Sequence, residues 1–232
     1  MNVNFGGAEG VPLEELDLGG GPPAGLALGG PDSVVITTGD TFSVAVEGSA
    51  AATERMRFVL DEHTLAIGRE SGDWGDSDVA TVIITMPAPD SIAIGGSGRV
   101  TTDGLASDAE LIVGGSGEVV ASGIDGDRLE VVLGGSGRVR ASGAAERMNL
   151  TIGGSGTADM AELQVGDAEV NIGGSGNATF ASDGTVEANV AGSGTVRVRG
   201  SAECTINSVG SGSLICEPAG PAGDAASEGG PA

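Results

Sequence analysis

The sequence predicts an all-β chain wound as a parallel β-helix, a solenoid of about seven coils of 18–20 residues with strand-turn-strand units at its N-terminal end. Three observations carry this reading. A Gly-Ser-Gly motif returns seven times; apolar residues alternate with others on both sides of it; and the apolar set is made of small and β-branched side chains, with aromatics at 2%.

The repeat comes first because it sets the frame for everything else. Its serines are Ser97, Ser116, Ser136, Ser155, Ser175, Ser193 and Ser211, at spacings of 19, 20, 19, 20, 18 and 18 residues. Three residues before the serine stand Ile94, Val113, Leu133, Ile152, Ile172 and Val190, and five before it Ile92, Leu111, Val131, Leu150 and Val170. Three residues after it stand Val100, Val119, Val139, Ala158, Ala178, Val196 and Leu214. Period two on each flank means a strand with one face buried. The columns between are mixed or polar, among them Thr151, Asn171, Asn189 and Asn207, and are expected to face solvent. Stacking in this register puts Glu118 between Arg99 and Arg138, an opposite-charge ladder.

One unit has too few apolar residues to bury anything by itself, so stacking on neighbours must supply the core. The glycines then mark corners, where the backbone takes positive φ or successive coils leave no room for a Cβ. The serines are structural corner positions in this reading, and sequence leaves open whether their hydroxyls point in or out.

Ahead of the repeat, Ser33 to Gly48 and Arg57 to Gly68 read as strand, turn, strand, with a short helix over Ala50 to Arg55. Ser71 to Asp78, with Trp74, reads as an exposed loop, and Val79 to Met86 as a further strand. The expected organisation is therefore a flexible acidic, Gly/Pro-rich segment over 1–30, N-terminal strands and cap over 31–90, the repeat over 91–216 and a disordered tail over 217–232. Parallel coils leave open edges at both ends, which makes homo-oligomerisation through those edges an expectation to test.

Cys204 and Cys216 occupy inward columns of the final coil. A disulfide clamping that end and two buried free thiols are both compatible with the spacing. A disulfide would imply an oxidising compartment.

The formal charge of −23, with ten arginines and no lysine, opposes binding to nucleic acid or to anionic membrane surfaces. No stretch has the roughly 20 apolar residues that a membrane-spanning helix needs. The first twenty residues lack a basic start and an apolar run, so a signal peptide is not expected there.

Motifs that would carry chemistry fail on inspection. A phosphate loop needs Gly-Lys-Ser/Thr after its glycines, and the chain has no lysine. Calcium-binding nonapeptide repeats place an Asp where this chain has Val100, Val119, Val139, Ala158 and Ala178. Asp103, Asp125, Asp127, Asp159 and Glu162 sit mainly in the returns between strands and form no column, as paired carboxylates for glycoside cleavage would require. His63, the single histidine, reads as a turn residue in Asp-Glu-His-Thr. No catalytic residue, metal ligand, cofactor or cofactor-binding residue is predicted.

The corner series with its Val-x-Ala/Val strands, preceded by TGDTFSVAVEG, LAIGRE and the entry MPAPDSIAIGGSG, resembles the auto-transporter adhesin head GIN domain family of bacteria over roughly Pro31 to Glu217. The resemblance implies a right-handed parallel β-helix in exported or envelope-associated proteins, with no catalytic residues to carry over. The expected function is a non-catalytic β-helical scaffold or adhesion-type binding module of the envelope or surface, contacting a protein or glycan. A carbohydrate-active enzyme on the same fold and a cytoplasmic or regulatory interaction domain stand as alternatives.

Overall fold

Alternating residues such as Thr157-Ala158-Asp159-Met160 place one face of each strand in the interior, and a parallel neighbour above and below satisfies the backbone. In the computed structural model, which describes residues 4–5, 8–70 and 79–217, this pattern builds two continuous parallel ladders that meet at the Gly-Ser-Gly corners.

In chain order the elements are β1 (Asn4–Phe5), β2 (Ala8–Glu9), β3 (Gly25–Leu28), β4 (Ser33–Thr38), β5 (Ser43–Glu47), the helix α1 (Ala50–Thr53), β6 (Met56–Leu60), β7 (Thr64–Arg69) and β8 (Thr81–Met86). The repeat adds β9 (Ser91–Ile94), β10 (Arg99–Thr102), β11 (Asp108–Val113), β12 (Glu118–Leu133), β13 (Arg138–Ile152), β14 (Thr157–Gly174), β15 (Asn177–Ser182), β16 (Thr185–Gly192), β17 (Thr195–Arg199), β18 (Glu203–Gly210) and β19 (Ser213–Glu217). One ladder runs β7, β3, β9, β11, β12, β13, β14, β16, β18, and the other β8, β4, β10, β12, β13, β14, β15, β17, β19. The long strands β12, β13 and β14 serve both ladders.

The stacking order departs from chain order at the N-terminal end. Gly25 to Leu28 pair with Thr64 to Ile67 on one side and with Ser91 to Ile94 on the other, so the coil β3–β4 is threaded between β7–β8 and β9–β10. Leu26 and Leu28 are fully buried there. The segment expected to be flexible up to residue 30 thus supplies a core strand, because Leu26-Ala27-Leu28 has the same inward alternation as Ile92-Ala93-Ile94. The end is closed by reversed strands: β5 pairs antiparallel with β8, and β6 antiparallel with β7. Ser33 to Gly48 does form strand, turn, strand, but β8 lies between its two strands rather than their pairing with each other. The helix is capped by Ser49, whose hydroxyl accepts from Ala52 N–H. The expected loop with Trp74 and residues 218–232 of the expected tail lie outside the described residues.

The corners explain two of the glycines by contact. Gly174 has φ +135°, and a Cβ there would stand 2.4 Å from the carbonyl oxygen of Gly154 in the coil below. A Cβ on Gly176 would stand 2.4 Å from Ile152 Cγ2. Corner backbones hydrogen-bond along the axis, as when Ser116 N–H donates to the Gly96 carbonyl and Ser136 N–H to that of Gly115.

The coil β3–β4 has its own corner, Gly30-Pro31-Asp32. Ser97 N–H and Arg99 N–H donate to the carbonyls of Gly30 and Asp32, which places Asp32 under Gly98. The Asp32 carboxylate, with no exposed surface, accepts from Arg69 Nε at 2.7 Å, from Arg69 Nη2 and from Ala80 N–H at 2.8 Å. This buried fork ties β7 to the corner of the next coil.

Candidate binding surface

The corner serines make one axial row. All seven lie at exposed positions, and it is their backbone N–H groups, not their hydroxyls, that bond to the adjacent coil. The row marks an edge between two outward faces, each built from the polar columns of one ladder.

On the face after the corner, the register sets Glu118 beside Arg99 and Arg138, but its carboxylate pairs with Arg99 and with Arg140 at 2.9 Å. The expected Arg138 contact is replaced by a diagonal one, since Arg140 is two residues along on the same face and its longer reach meets the second carboxylate oxygen. Arg140 also lies 3.8 Å from Asp159. These arginines are about half exposed, so the network is a solvated face and each pair adds little.

On the face before the corner, Asn171, Asn189 and Asn207 stack in register. Asn189 Nδ2 donates to Asn171 Oδ1 and Asn207 Nδ2 to Asn189 Oδ1, both at 3.1 Å, while Asn171 Nδ2 donates to Glu169 Oε1. The two inter-coil amide bonds point the same way, and Asn207 Nδ2 also donates to Glu187 Oε1 at 3.5 Å, leaving a second N–H on Asn171 and Asn189 and spare carbonyl lone pairs along the ladder for a ligand. Between this ladder and the serine row runs an open groove of about 680 Å³, lined by Thr151, Asn171, Asn189, Asn207 and by Gly153, Gly173, Ala191 and Val209.

The groove floor differs from the rest of the corner. A Cβ on Gly153 or Gly173 would come no nearer than 3.9 Å and 4.0 Å to any neighbouring heavy atom, and neither residue has positive φ. The last two coils carry Ala191 and Val209 in the same column. Sterics therefore permit side chains here, and Gly153 and Gly173 leave the floor bare without being needed for the turn.

The acidic residues of the returns act as local fasteners. Asp183 accepts from Ser201 N–H and Ser201 Oγ in the next coil, both at 2.8 Å, and from Gln164 in the previous one at 3.1 Å; the Ser201 backbone bond is the main reason its carboxyl is held below the ordinary value of 3.8. Asp61 is lowered in the same way, first by the backbone N–H of His63 and then by that of Thr64. Asp103 accepts from Thr38 N–H at 2.8 Å. His63 lies in the β6–β7 turn, where its carbonyl accepts from Ala24 and Gly25 N–H and its Nε2 is 3.3 Å from Asp90. Among the described residues, no group of three His, Cys, Asp or Glu side chains could hold a metal ion, and no helix is long and apolar enough to cross a membrane.

Cys204 and Cys216 are joined by a disulfide across the final coil, with their Cα atoms 6.7 Å apart. Their columns continue Val186 and Val198 of the coil below, which are fully buried. The cysteines themselves are half-buried and exposed, because among the described residues no coil stacks on theirs.

Sequence reasoning missed the Asp32–Arg69 fork, although a signal was present. Leu26-Ala27-Leu28-Gly29-Gly30-Pro31-Asp32 aligns with Ile92-Ala93-Ile94-Gly95-Gly96-Ser97-Gly98 as a degenerate copy of the repeat, and its one acid falls at a buried corner position.

The solved structures similar to this chain share its fold. An adhesin-titled structure, "putative adhesin", from Bacteroides fragilis superimposes with a TM-score of 0.77 at 20% identity, covering 85% of this chain and 93% of its own. A "putative lipid binding protein" from Parabacteroides distasonis gives 0.68 at 20% identity with the same coverage. A "putative adhesin" from Parabacteroides merdae gives 0.63 at 15% identity, covering 86% and 92%. No curated protein matches the chain. The pattern of a bacterial family described as "Putative auto-transporter adhesin, head GIN domain" matches residues 22–202, beginning ahead of Pro31 where β3 begins its coil, and the chain belongs to that family.

Proposed function

We propose that this domain is a non-catalytic, adhesion-type module of the bacterial envelope or surface that holds an uncharged glycan strand along the asparagine groove. The observation that carries the reading is the pairing of a one-directional amide ladder, Asn171–Asn189–Asn207, with a floor at Gly153 and Gly173 kept free of side chains that sterics would allow. Stacked coils repeat those amides about every 4.8 Å along the axis, which suits a polymer with hydroxyls on every unit. The net charge of −23 favours a neutral chain over an anionic one. With aromatics at 2% of residues, stacking platforms are scarce, so each contact is weak and avidity along the row supplies retention.

The Cys204–Cys216 bond fits an oxidising location. The structural relative titled as a lipid-binding protein raises a lipid as a second reading, favoured by Ala191 and Val209, which give the groove an apolar end, and an acyl chain belongs in the same titration.

The test is NMR titration with a panel of neutral oligosaccharides, with an oligouronate as the anionic control. Shifts confined to Asn171, Asn189, Asn207 and their neighbours, weakened at least five-fold by Asn189→Ala with an unchanged melting temperature, support the reading. Absence of binding at millimolar sugar, or binding that Asn189→Ala leaves intact, overturns it.

A further inference from the structure

We propose that two copies of this chain join end to end through the last coil, β18 of each pairing antiparallel with β19 of the other about a twofold axis at the corner Gly210-Ser211-Gly212. This inference is independent of the glycan reading.

The two ends of the solenoid are finished differently. At the N-terminal end the reversed strands β5 and β6 cover β8 and β7. At the other end β18 pairs with β16 and β19 with β17, and the far side of both strands has no partner among the described residues. The interior is correspondingly uncovered there: Ile206, in an inward column, is 39% exposed, and Leu214 is only partly buried. A parallel edge with apolar residues on show and no blocking lysine, proline or bulge is the kind that pairs with another chain.

The hydrogen-bond phase selects the register. Glu203, Ser211 and Ser213 direct their N–H groups back to Gly184, Gly192 and Gly194 of the coil below. By alternation along a strand, the even residues Ile206, Ser208, Leu214 and Cys216 direct theirs outward from the end. Mirroring the coil about Ser211 sets Ile206 opposite Cys216 and Ser208 opposite Leu214 of the second copy. Each is an even residue facing an even residue, so the free donors and acceptors meet, and inward columns continue inward columns. The same mirroring lays the strand that enters the corner over the strand that leaves it, which is the condition for antiparallel pairing at a twofold.

The charge of −23 on each copy opposes association, so the dimer is expected to strengthen as salt screens the repulsion, while the junction itself is sparsely charged. Glu203 and Glu217 are the charged residues of β18 and β19; both sit at the strand ends remote from the corner, and Glu217 is paired with Arg197 at 2.6 Å. Each copy offers two strand edges of 8 and 5 residues. This is fewer than the roughly 20–30 residues a side of a standard interface, so a weak, concentration-dependent dimer is expected.

Sedimentation velocity on the full chain between about 5 and 500 µM tests the proposal. A monomer–dimer equilibrium is expected, with X-ray scattering showing a particle about twice as long as the monomer. Ser208→Pro removes an outward donor without taking one from the β16 ladder, and is expected to weaken the dimer at least ten-fold. In case that variant folds poorly, hydrogen exchange on the unaltered chain gives a second readout: the amides of Ile206, Ser208 and Leu214 gain protection as concentration rises. A monomer at every concentration, a side-by-side dimer, or protection of those amides that does not vary with concentration, as when the chain's own residues 218–232 cover the end, overturns it.

Discussion

Adjacent glycines at one corner are expected to respond in opposite ways to the same added methyl. Gly174→Ala places a Cβ 2.4 Å from the Gly154 carbonyl oxygen on a backbone with φ +135°. The unfavourable conformation costs about 1–3 kcal/mol, and relieving the overlap by moving one coil against the next costs about 1–3 kcal/mol more. The sum is about 4 kcal/mol. For a domain of this size, roughly 2–4 °C of melting temperature per kcal/mol gives a fall of about 12 °C. Gly173→Ala adds its methyl 4.0 Å from the nearest atom at ordinary φ. It reduces the freedom of the unfolded chain and is expected to be neutral or to stabilise by up to about 1 kcal/mol. Urea unfolding followed by circular dichroism measures both. Equal losses, or a loss above about 1 kcal/mol for Gly173→Ala, would refute the distinction between turn glycines and floor glycines.

Three further outcomes follow from the fastenings. Cys204→Ser removes a cross-link between residues 12 apart in sequence, worth about 3 kcal/mol by loop-closure entropy; since each coil touches only its neighbours, hydrogen exchange should rise in β18 and β19 while β12 to β14 stay protected, and uniform loosening would contradict this. Asp32→Asn weakens a buried bidentate pair, and thermal melts should show a loss of about 1.5–3 kcal/mol; a change below 1 kcal/mol would mean the fork is dispensable. The carboxyl of Asp183 titrates below its ordinary 3.8, so its stabilising effect is complete above that pH and disappears as pH falls through the lower folded value. Asp183→Asn should therefore flatten the stability profile below about pH 4, and unchanged slopes would rule out the inter-coil bond as its cause.

Legibility in the sequence followed the range of the interactions. The coils from Ser91 to Glu217 could be read because the buried columns are local, period-two patterns repeated at nearly constant spacing, and each coil meets the same environment. The coil β3–β4 escaped because Pro31-Asp32 replaces Ser-Gly and its neighbours in space lie far along the chain. Glu118 does stack between Arg99 and Arg138 and pairs with Arg99, but its second ion pair goes to Arg140 for a different reason: Cα register fixes which residues are opposite, and a long side chain chooses among diagonal neighbours by reach. The asparagine groove was half visible. Its column could be listed from sequence, yet only the contacts of a built Cβ separate Gly173, where a side chain would fit, from Gly174, where it would not.

The threading of β3–β4 sets an order of events in folding. Within the repeat, a coil finds its partner 18 to 20 residues away, so winding can begin anywhere and spread in both directions. Gly25, by contrast, must meet Ser91 across 66 intervening steps of chain, a closure costing about 1 kcal/mol more in entropy than a repeat step. A chain emerging from its N-terminus cannot complete its first coil until the β7 to β9 region has appeared. Winding is therefore expected to start within the repeat, with the coil β3–β4 latched into place only after its later neighbours exist.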